Sequence, residues 1–344
     1  MEPRPVLSVL MPVYNGREFL KPAIDSILAQ TYRDFELIIV NDGSTDDTQA
    51  VIDSYKDPRI VAIVQKNQGV ARSLNNGLDV ARGTYVRRHD ADDVSTPDSF
   101  RIQIDFLESH LEYVMVCNQQ AFMTARGRIA WKYRVPNNDF FHGQDFTDLG
   151  FEHFTVDKSS PVVHGTACFR REAVIAMGKY RTEFTVSEDN DLWLRLLEKY
   201  KIAVLNRCTY FMRLHGTSAT QRHAGKIKHF RNLLIDFSRQ RRETGTDPIM
   251  RGEPVPPPPS TAPADDVPTT QARGKKFRED LRYIYGLSVN ARDGELIRKY
   301  GGAILRDGWR DLRSWKMLLF PVLGDSLVKF GVSLKSRFKS TASR

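Results

Sequence analysis

The chain has 344 residues, of which 41% are hydrophobic and 27% charged, and its net charge is +9; this fits a globular protein of one large domain with an appendage, or of two domains. Residues 271–344 hold 17 of the 51 Lys and Arg and 7 of the 42 Asp and Glu, so this tail sums to +10 and the remaining 34 basic and 35 acidic residues sum to −1. Three scattered cysteines, no signal-peptide pattern and no apolar run of about 18 residues argue against a disulfide framework, a structural zinc site and a membrane span, and they favour the cytoplasm.

The first part of the chain alternates apolar strand patterns with amphipathic helix patterns. The predicted strands are 6–13, 35–40, 59–64 and 83–87, and the predicted helices are 18–30, one that opens at 44–47, and 71–81. Alternation at this spacing predicts an α/β fold with a mostly parallel sheet and helices on both faces.

Beyond this unit the patterns predict further helices at 98–110, 170–177, 192–199 and 223–242, and strands at 113–124, 166–169 and 202–205. Residues 135–158 are irregular and aromatic, which fits either a lid over substrate or packing. A domain is therefore expected over residues 1–245. The six prolines from Pro254 to Pro263 predict a linker over 246–272, and a basic, mainly helical region should follow over 273–344.

The C-terminal region interleaves Trp309, Trp315 and aliphatic residues with Lys and Arg. A basic amphipathic segment with tryptophan is typical of proteins that lie on anionic membranes, here the inner face of the cell membrane. The alternative is a helical module that packs on the domain or on a second subunit, as in a homo-oligomer. Nucleic acid is not expected as a partner, since no recognition motif accompanies the basic charge.

Polar residues follow each of the first four predicted strands. They are Tyr14-Asn15, Asn41-Asp42, Asn67-Gln68 and Asp90-Ala91-Asp92-Asp93. Ligands of open α/β sheets bind beyond the carboxyl ends of the strands, where all four groups fall. Three carboxylates within four residues repel one another unless a cation lies between them, and Mg²⁺ or Mn²⁺ prefers such oxygen ligands. The alternative for an isolated acidic cluster is a solvated turn.

Five segments in this order resemble the family 2 glycosyltransferases, which have the GT-A fold. They are Met11-Pro12-Val13-Tyr14-Asn15-Gly16, Ile39-Val40-Asn41-Asp42-Gly43-Ser44-Thr45-Asp46, Asn67-Gln68-Gly69-Val70-Ala71-Arg72, Asp90-Ala91-Asp92-Asp93 and Ser187-Glu188-Asp189-Asn190-Asp191-Leu192-Trp193-Leu194-Arg195. The resemblance covers about residues 6–218. It implies a GT-A-type nucleotide-binding sheet, to which the Pro-rich linker and the helical tail are appended.

The resemblance also implies where a nucleotide-sugar donor binds. Residues matching Pro12, Tyr14 and Asp42 form the base and ribose pocket in the family, and Arg72 matches an arginine near the base and the diphosphate. Asn15 and Asn67 are counted with this nucleotide-sugar site. Strand-end packing for Tyr14, a turn role for Asp42 and a solvated charge for Arg72 are the alternatives.

For the metal, the resemblance implies that Asp90-Ala91-Asp92 holds Mn²⁺ or Mg²⁺ on the donor diphosphate. Asp92 is the first choice as the direct ligand, and Asp90 would reach the ribose or a metal-bound water. Some family members place a His after the last strand as a further ligand, which suggests His215.

For catalysis, the resemblance implies an inverting displacement. Asp189 would take the proton of the acceptor hydroxyl, and Glu188 would orient the acceptor or Asp189. Asp191 is a third candidate, although it would also cap a helix that begins near Leu192.

The function expected is metal-dependent transfer of a hexosyl or N-acetylhexosaminyl group from a UDP-sugar to a hydroxyl of a glycan or a lipid-linked acceptor. One alternative is a sugar-phosphate nucleotidyltransferase, which usually has a Gly-rich basic loop where this chain has Pro12 to Gly16. The other is an inactive protein that binds nucleotide sugars or acts as a scaffold. The sugar, the acceptor and the linkage do not follow from the sequence.

Overall fold

The computed structural model describes residues 5–124, 127, 129–132, 144–156, 162–215 and 224–258. By its internal contacts the chain divides into a first unit of Met1–Phe122 and Lys132–Asp265, and a second of Met123–Trp131 and Asp266–Arg344. The predicted C-terminal helical region lies outside the described residues. No helix within the described ranges is both long and apolar enough to cross a membrane.

The described elements occur in the following ranges. The strands are β1 (Leu7–Val13), β2 (Phe35–Asn41), β3 (Ile60–Val64), β4 (Tyr85–Arg88), β5 (Val94–Ser95), β6 (Tyr113–Thr124), β7 (Ile129–Lys132), β8 (Phe146–Asp148), β9 (Cys168–Arg170) and β10 (Lys201–Leu214). The helices are α1 (Arg17–Leu28), α2 (Thr48–Asp53), α3 (Val70–Val80), α4 (Ser99–Ser109), α5 (Glu152–Val156), α6 (Arg171–Ala176), α7 (Glu188–Leu196) and α8 (Ala224–Thr244), with a short 3₁₀ turn at His164–Thr166.

The central sheet has the strand order β3-β2-β1-β4-β9-β6-β10-β5. Pairing is parallel between β3, β2, β1 and β4, with Leu7 opposite both Phe35 and Tyr85. It is antiparallel between β4 and β9, between β9 and β6, and between β10 and β5. The expected α/β architecture is confirmed, but the parallel part is confined to the first four strands and the sheet as a whole is mixed.

Helices cover both faces of the parallel strands. Leu10 of β1 packs in one core cluster with Leu74 and Leu78 of α3, whereas Val9 packs in the other with Ile24 of α1. Neighbouring residues of β1 thus point to opposite faces and both are buried, which explains why the strand is an unbroken apolar run. Because helices pack on both faces of the sheet, the ends of β1, β2 and β4 are held together at one edge.

Two element boundaries differ from the prediction in ways that matter for the site. Helix α7 begins at Glu188, four residues before the predicted start, so Glu188 and Asp189 lie in its first turn. Strand β10 runs for 14 residues, whereas the sequence predicts only 202–205. The polar residues Asn206 and Arg207 interrupt the apolar pattern, but both are exposed in the strand, so they do not end it.

The described residues after α8 pack against the domain. Asp247 is fully buried, and Ile249 and Val255 contact the core cluster that contains α3 and α7. The expected boundary at residue 245 therefore falls inside packed structure. The chain remains packed for about ten residues into the segment predicted as a linker, because Asp247 is buried and Ile249 and Val255 pack against the core.

Candidate active site

Asp42, at the end of β2, organises the loop that leads into α3. Its Oδ1 accepts hydrogen bonds from Gln65 Nε2 at 2.7 Å and from the Gln68 N–H at 2.9 Å, and its Oδ2 accepts one from the Gly69 N–H at 2.9 Å. The carboxylate is only 4% exposed. Asp42 therefore fixes the conformation of the loop at residues 65–69.

Asn15 also joins two loops. Its Oδ1 accepts a hydrogen bond of 2.8 Å from the Thr45 N–H, its own N–H donates to Ser44 Oγ at 2.9 Å, and its φ of 51° is left-handed, a conformation that Asn tolerates better than most residues. Pro12 lies in β1, and Tyr14 follows that strand with half of its surface exposed. Asn67 and Arg72 are both exposed.

The carboxylate of Asp90 is held by two neighbours. Arg88, which is buried, pairs with Oδ1. The Tyr210 hydroxyl donates to Oδ2 at 3.1 Å and accepts from the Asp90 N–H at 3.2 Å. Both oxygens of Asp90 thus have protein partners. The predicted acidic cluster is neither a solvated turn nor a set of three equivalent ligands.

Asp92 and Asp93 point in different directions. The Asp92 carboxylate, about a third exposed, lies 2.8 Å from Nε2 of His215. Asp93 is buried, its Oδ1 accepts the Arg213 N–H at 2.7 Å, and burial together with Asp90 and Asp92 raises its pKa. Strand β10 and His215, which follows it, therefore contact the acidic cluster from one side. Asp93 holds the turn in place, and Asp92 stays accessible.

The donor chemistry at Asp92 and His215 fits a divalent ion with few protein ligands. A carboxylate oxygen and an imidazole nitrogen both suit Mn²⁺, and Mg²⁺ is usually held by one or two carboxylates plus substrate phosphates. Within the described residues, no three His, Cys, Asp or Glu side chains are grouped to hold a metal ion by themselves. A metal here would need ligands from substrate or water.

Glu188 and Asp189 form a second acidic pair at the start of α7. Burial first, and then the charge of Asp189, raise the pKa of Glu188 to about 8. Burial also raises the pKa of Asp189, although the Asn190 N–H, which donates to its Oδ1 at 2.8 Å, and the charge of Arg88 oppose the rise. Burial at the start of α7 therefore favours the neutral form of both carboxyl groups.

His164 in the 3₁₀ turn closes the buried side of this pair. Its Nδ1 lies 3.8 Å from Glu188 Oε1, and its Nε2 is hydrogen-bonded to the Tyr180 hydroxyl at 3.0 Å. Burial and the charge of Arg88 keep the pKa of His164 well below its usual range. Because burial favours the neutral forms of both His164 and Glu188, their contact is polar rather than ionic.

The 3₁₀ turn contacts both acidic clusters, the one that contains Asp90 and the pair Glu188 and Asp189. A Cβ on Gly165 would overlap the Tyr210 hydroxyl and lie 2.6 Å from Asp90 Oδ2, so only glycine fits beside them. The charge of Asp90 contributes to the raised pKa of both Glu188 and Asp189. The Asp90 group and the Asp189 group thus lie within electrostatic reach of one another.

Asp191 is not part of this group. It is fully buried, and its Oδ2 accepts hydrogen bonds from Arg195 Nε at 2.8 Å, while Arg181 approaches its Oδ1 at 3.5 Å. Two arginines that occupy its carboxylate leave Asp191 no role as a proton acceptor. The prediction that Asp191 is a catalytic residue is therefore corrected, because its carboxylate forms buried ion pairs with the two arginines.

Some residues of the site carry no recognisable sequence signal. Arg88 and Tyr210 hold Asp90, and Tyr180 holds His164, but each is a single side chain inside an apolar or mixed stretch. Tyr210 is missed because the predicted strand stops at Leu205. Residues 206 and 207 are exposed and residues 209 and 210 are buried, so no period-2 alternation indicates that the strand continues to Tyr210.

The chain is similar in sequence to known glycosyltransferases. Residues 8–177 match the family described as glycosyl transferase family 2. The chain is 34% identical over 205 residues to EpsE of Bacillus subtilis, named as a glycosyltransferase, an alignment that covers 58% of this chain and 69% of EpsE. It is 26% identical over 239 residues to chondroitin synthase of Escherichia coli, covering 68% of this chain but only 33% of that enzyme.

The fold is also similar to a solved structure. The crystal structure of S. aureus TarS 1-349 in complex with UDP-GlcNAc aligns with a TM-score of 0.53, covering 91% of this chain and 90% of that one. At 13% sequence identity, this likeness concerns the fold alone.

Proposed function

The chain belongs to glycosyl transferase family 2, and from that premise we propose that it transfers a sugar from a UDP-sugar to a hydroxyl of a glycan or lipid-linked acceptor, with inversion at the anomeric carbon. TarS, which shares the fold, binds UDP-GlcNAc, and chondroitin synthase is named for a polysaccharide. These names support a UDP-linked hexosyl or N-acetylhexosaminyl donor and a glycan acceptor.

One observation carries the proposal: two acidic clusters with different surroundings lie beside the 3₁₀ turn that contains Gly165. Asp92, beside His215, is accessible, whereas burial raises the pKa of Glu188 and of Asp189. Carboxyl groups whose pKa is raised by burial at a specific site are typical of acid–base chemistry. One group suits the donor diphosphate and the other suits the acceptor hydroxyl.

In the proposed reaction, Asp189 accepts the proton of the acceptor hydroxyl while that oxygen attacks the anomeric carbon. The bond from this carbon to the diphosphate oxygen breaks, and UDP leaves with the electron pair. Asp189 is partly exposed and its free Oδ2 is not bonded to Asn190, so it can be reached by an acceptor. The protonated Glu188 donates a hydrogen bond that orients the acceptor.

For the donor, Tyr14 offers an exposed ring at the end of β1, and the Asp42-fixed loop 65–69 forms the wall of a base pocket. Asn15 supports this pocket through its loop contacts, and Arg72 supplies an exposed cation at the start of α3. We assign Pro12 and Asn67 to the same site by the family pattern.

Asp92 and His215 would hold Mn²⁺ or Mg²⁺, which would neutralise charge on the departing diphosphate. Asp90 does not join them in this proposal, because Arg88 and Tyr210 occupy its carboxylate. It instead fixes the turn that presents Asp92. Metal affinity without donor should accordingly be weak, and UDP should strengthen it.

A panel of UDP-sugars tests the function. UDP release should be detected with at least one sugar nucleotide, and Asp189→Asn should lower that rate by roughly 10²–10⁴-fold, the usual contribution of a positioned base. UDP affinity in calorimetry should stay within about two-fold, because the base does not contact the nucleotide. Glu183→Gln, exposed on the loop before α7, is the matched control. Equal loss of rate and affinity in Asp189→Asn would assign the residue to structure or to binding.

The inactive-scaffold alternative gives a different result in the same assay. Such a protein would bind UDP with or without Mn²⁺ and release none from any sugar nucleotide. A nucleotidyltransferase would instead form a UDP-sugar and pyrophosphate from UTP and a sugar phosphate, which separates it from both other functions.

We further propose that the basic C-terminal region brings the enzyme to an anionic membrane surface, where a lipid-linked acceptor would be found. Its charge of +10 over residues 271–344 supports this proposal. The full chain should sediment with vesicles that contain phosphatidylglycerol and remain free with phosphatidylcholine alone. Equal partition would favour a packing or homo-oligomer role, which ultracentrifugation at several concentrations measures.

A further inference from the structure

Six buried or nearly buried charged side chains form a network behind α7. Its acids are Asp191, Glu198 and Asp247, and its bases are Arg181, Arg195 and Arg241, so the charges balance. None of the six side chains is more than 15% exposed. Buried charges require partners, so each member depends on the others being in place.

Asp247 joins the two halves of this network. Its Oδ2 accepts hydrogen bonds from Arg181 Nη1 at 2.7 Å and from Arg241 Nη1 at 2.5 Å, and its Oδ1 accepts the Met250 N–H at 2.9 Å. The same Arg181 Nη1 reaches Asp191. The two arginines also lower the pKa of Asp247 against the effect of burial, so this carboxylate stays ionised.

The arginine side of the network is firmly anchored. Arg241 of α8 grips Glu198 with Nε at 2.9 and 3.0 Å from the two carboxylate oxygens. Arg195 of α7 donates from Nη2 to the Lys179 carbonyl at 2.7 Å. Removal of Asp247 would leave Arg181 and Arg241 facing one another with one acid fewer, and Arg181 would have only the longer contact to Asp191.

Asp191 connects the network to the proposed base, Asp189, because both residues lie in the first turn of α7. Successive residues of an α-helix are about 100° apart around its axis, so Asp189 and Asp191 project from nearly opposite sides of α7. The helix is preceded by Ser187 at a left-handed φ of 65°, which needs surrounding structure to hold it. The network fixes one side of the first helical turn, and Asp189 lies on the other side.

We propose that Asp247 is a positioning residue: through Arg181 and Asp191 it sets the orientation of the first turn of α7 and hence of Asp189. The catalytic part of this inference rests on the proposed function, since it treats Asp189 as the base. A misplacement of about 1 Å in a reacting group can cost about 100-fold in rate. Neither the sequence pattern nor the family match, which ends at residue 177, includes Asp247.

The test compares three variants of the full chain. Asp247→Asn keeps the shape and removes the charge, and Asp247→Glu restores the charge with a longer reach. Glu253→Gln is the matched control, because Glu253 lies six residues further on and pairs with Arg251 on the exposed surface. Rates of UDP release are divided by the number of UDP sites measured in calorimetry, so that unfolded protein does not count as lost activity.

Asp247→Asn should lower the rate per UDP site by about 10–100-fold, leave the UDP dissociation constant within two-fold, and raise the KM for acceptor little or not at all. Asp247→Glu should recover most of the rate, and Glu253→Gln should match the wild type. An unchanged rate per site in Asp247→Asn overturns the inference. An equal loss of rate in Asp247→Asn and Asp247→Glu also overturns it. If the charge of Asp247 positions α7, the carboxylate of Asp247→Glu should restore most of the rate.

A double-mutant cycle decides the coupling without any reaction. The losses in Tm for Asp247→Asn and Asp191→Asn should be strongly non-additive in the double variant if the two residues act through Arg181. Additive losses of Tm would overturn the proposed coupling between Asp247 and Asp191. If the wild type releases UDP from no sugar nucleotide, it is the proposed function that fails, and this cycle alone decides whether Asp247 is coupled to α7.

Discussion

Glu188 provides a measurable consequence of the buried acidic pair. The fold raises its pKa from the ordinary 4.5 to about 8. Between these values the folded protein keeps a proton that the unfolded chain has released. Stability therefore falls as pH rises through this window, since linkage favours the state that binds fewer protons at higher pH.

The magnitude follows from the two pKa values. Ionisation of Glu188 in the unfolded chain should cost the native state about 1 kcal/mol at pH 5 and about 3 kcal/mol at pH 7. Glu188→Gln supplies a permanently neutral side chain of nearly the same shape, so it removes this penalty. Relative to the wild type, the variant should gain about 2–3 kcal/mol between pH 5 and pH 7, or a shift in Tm of roughly 5–10 °C.

Urea unfolding of wild type and Glu188→Gln, at intervals from about pH 5 to about pH 8, measures this difference. Glu183→Gln, at an exposed position on the loop before α7, is again the control. A Glu188→Gln difference that stays flat across the window would refute the raised pKa. A difference that grows as pH falls would show that Glu188 is ionised in the fold.

Three further substitutions test the donor side. Asp92→Asn should weaken Mn²⁺ binding to the UDP complex by at least about ten-fold in calorimetry, whereas Asp105→Asn, exposed on α4, should not; an unchanged metal response would remove Asp92 from the ligand set. Asp42→Asn keeps one acceptor oxygen and turns an NH₂ donor toward one of the two backbone N–H groups. It should lower UDP affinity about ten-fold, and unaltered affinity would mean that loop 65–69 does not line the pocket. Tyr210→Phe removes the hydroxyl that holds Asp90 and should lower the transfer rate by about ten-fold; a rate equal to wild type would contradict a positioning role for Asp90.

Much of the fold could be predicted from local patterns, whereas the donor site stays a prediction. Apolar runs buried on both faces identify β1 and β2, and the polar residues that follow them lie at the edge of the sheet where the donor is predicted to bind. Asp92 and His215, separated by more than a hundred residues, could be assigned to one site only through the family resemblance. The structure supports that pairing with a contact of 2.8 Å.

The roles of individual carboxylates could not be predicted in this way. Composition and spacing do not distinguish Asp90, Asp92 and Asp93, and only the resemblance ranked Asp92 first; in the structure one pairs with Arg88, one with His215, and one is buried and accepts the Arg213 N–H. The same is true of Asp189 and Asp191, of which the second is enclosed by arginines. A carboxylate's function depends on its neighbours, and these come from distant segments.

The sequence by itself predicted most of the elements, their alternation and the edge of the sheet at which polar residues gather, because these depend on hydrophobic period and on turn residues close together in the chain. Only the tertiary structure decided which acid is accessible, which has its pKa raised by burial and which is locked in an ion pair. It brings β4, the 3₁₀ turn, α7 and β10 together at one place, and burial and charge at that place set the state of each side chain. Asp247 is the clearest case. Its carboxylate reaches Arg181, and through it Asp191, only because the chain beyond α8 folds back against the helix that carries Asp189.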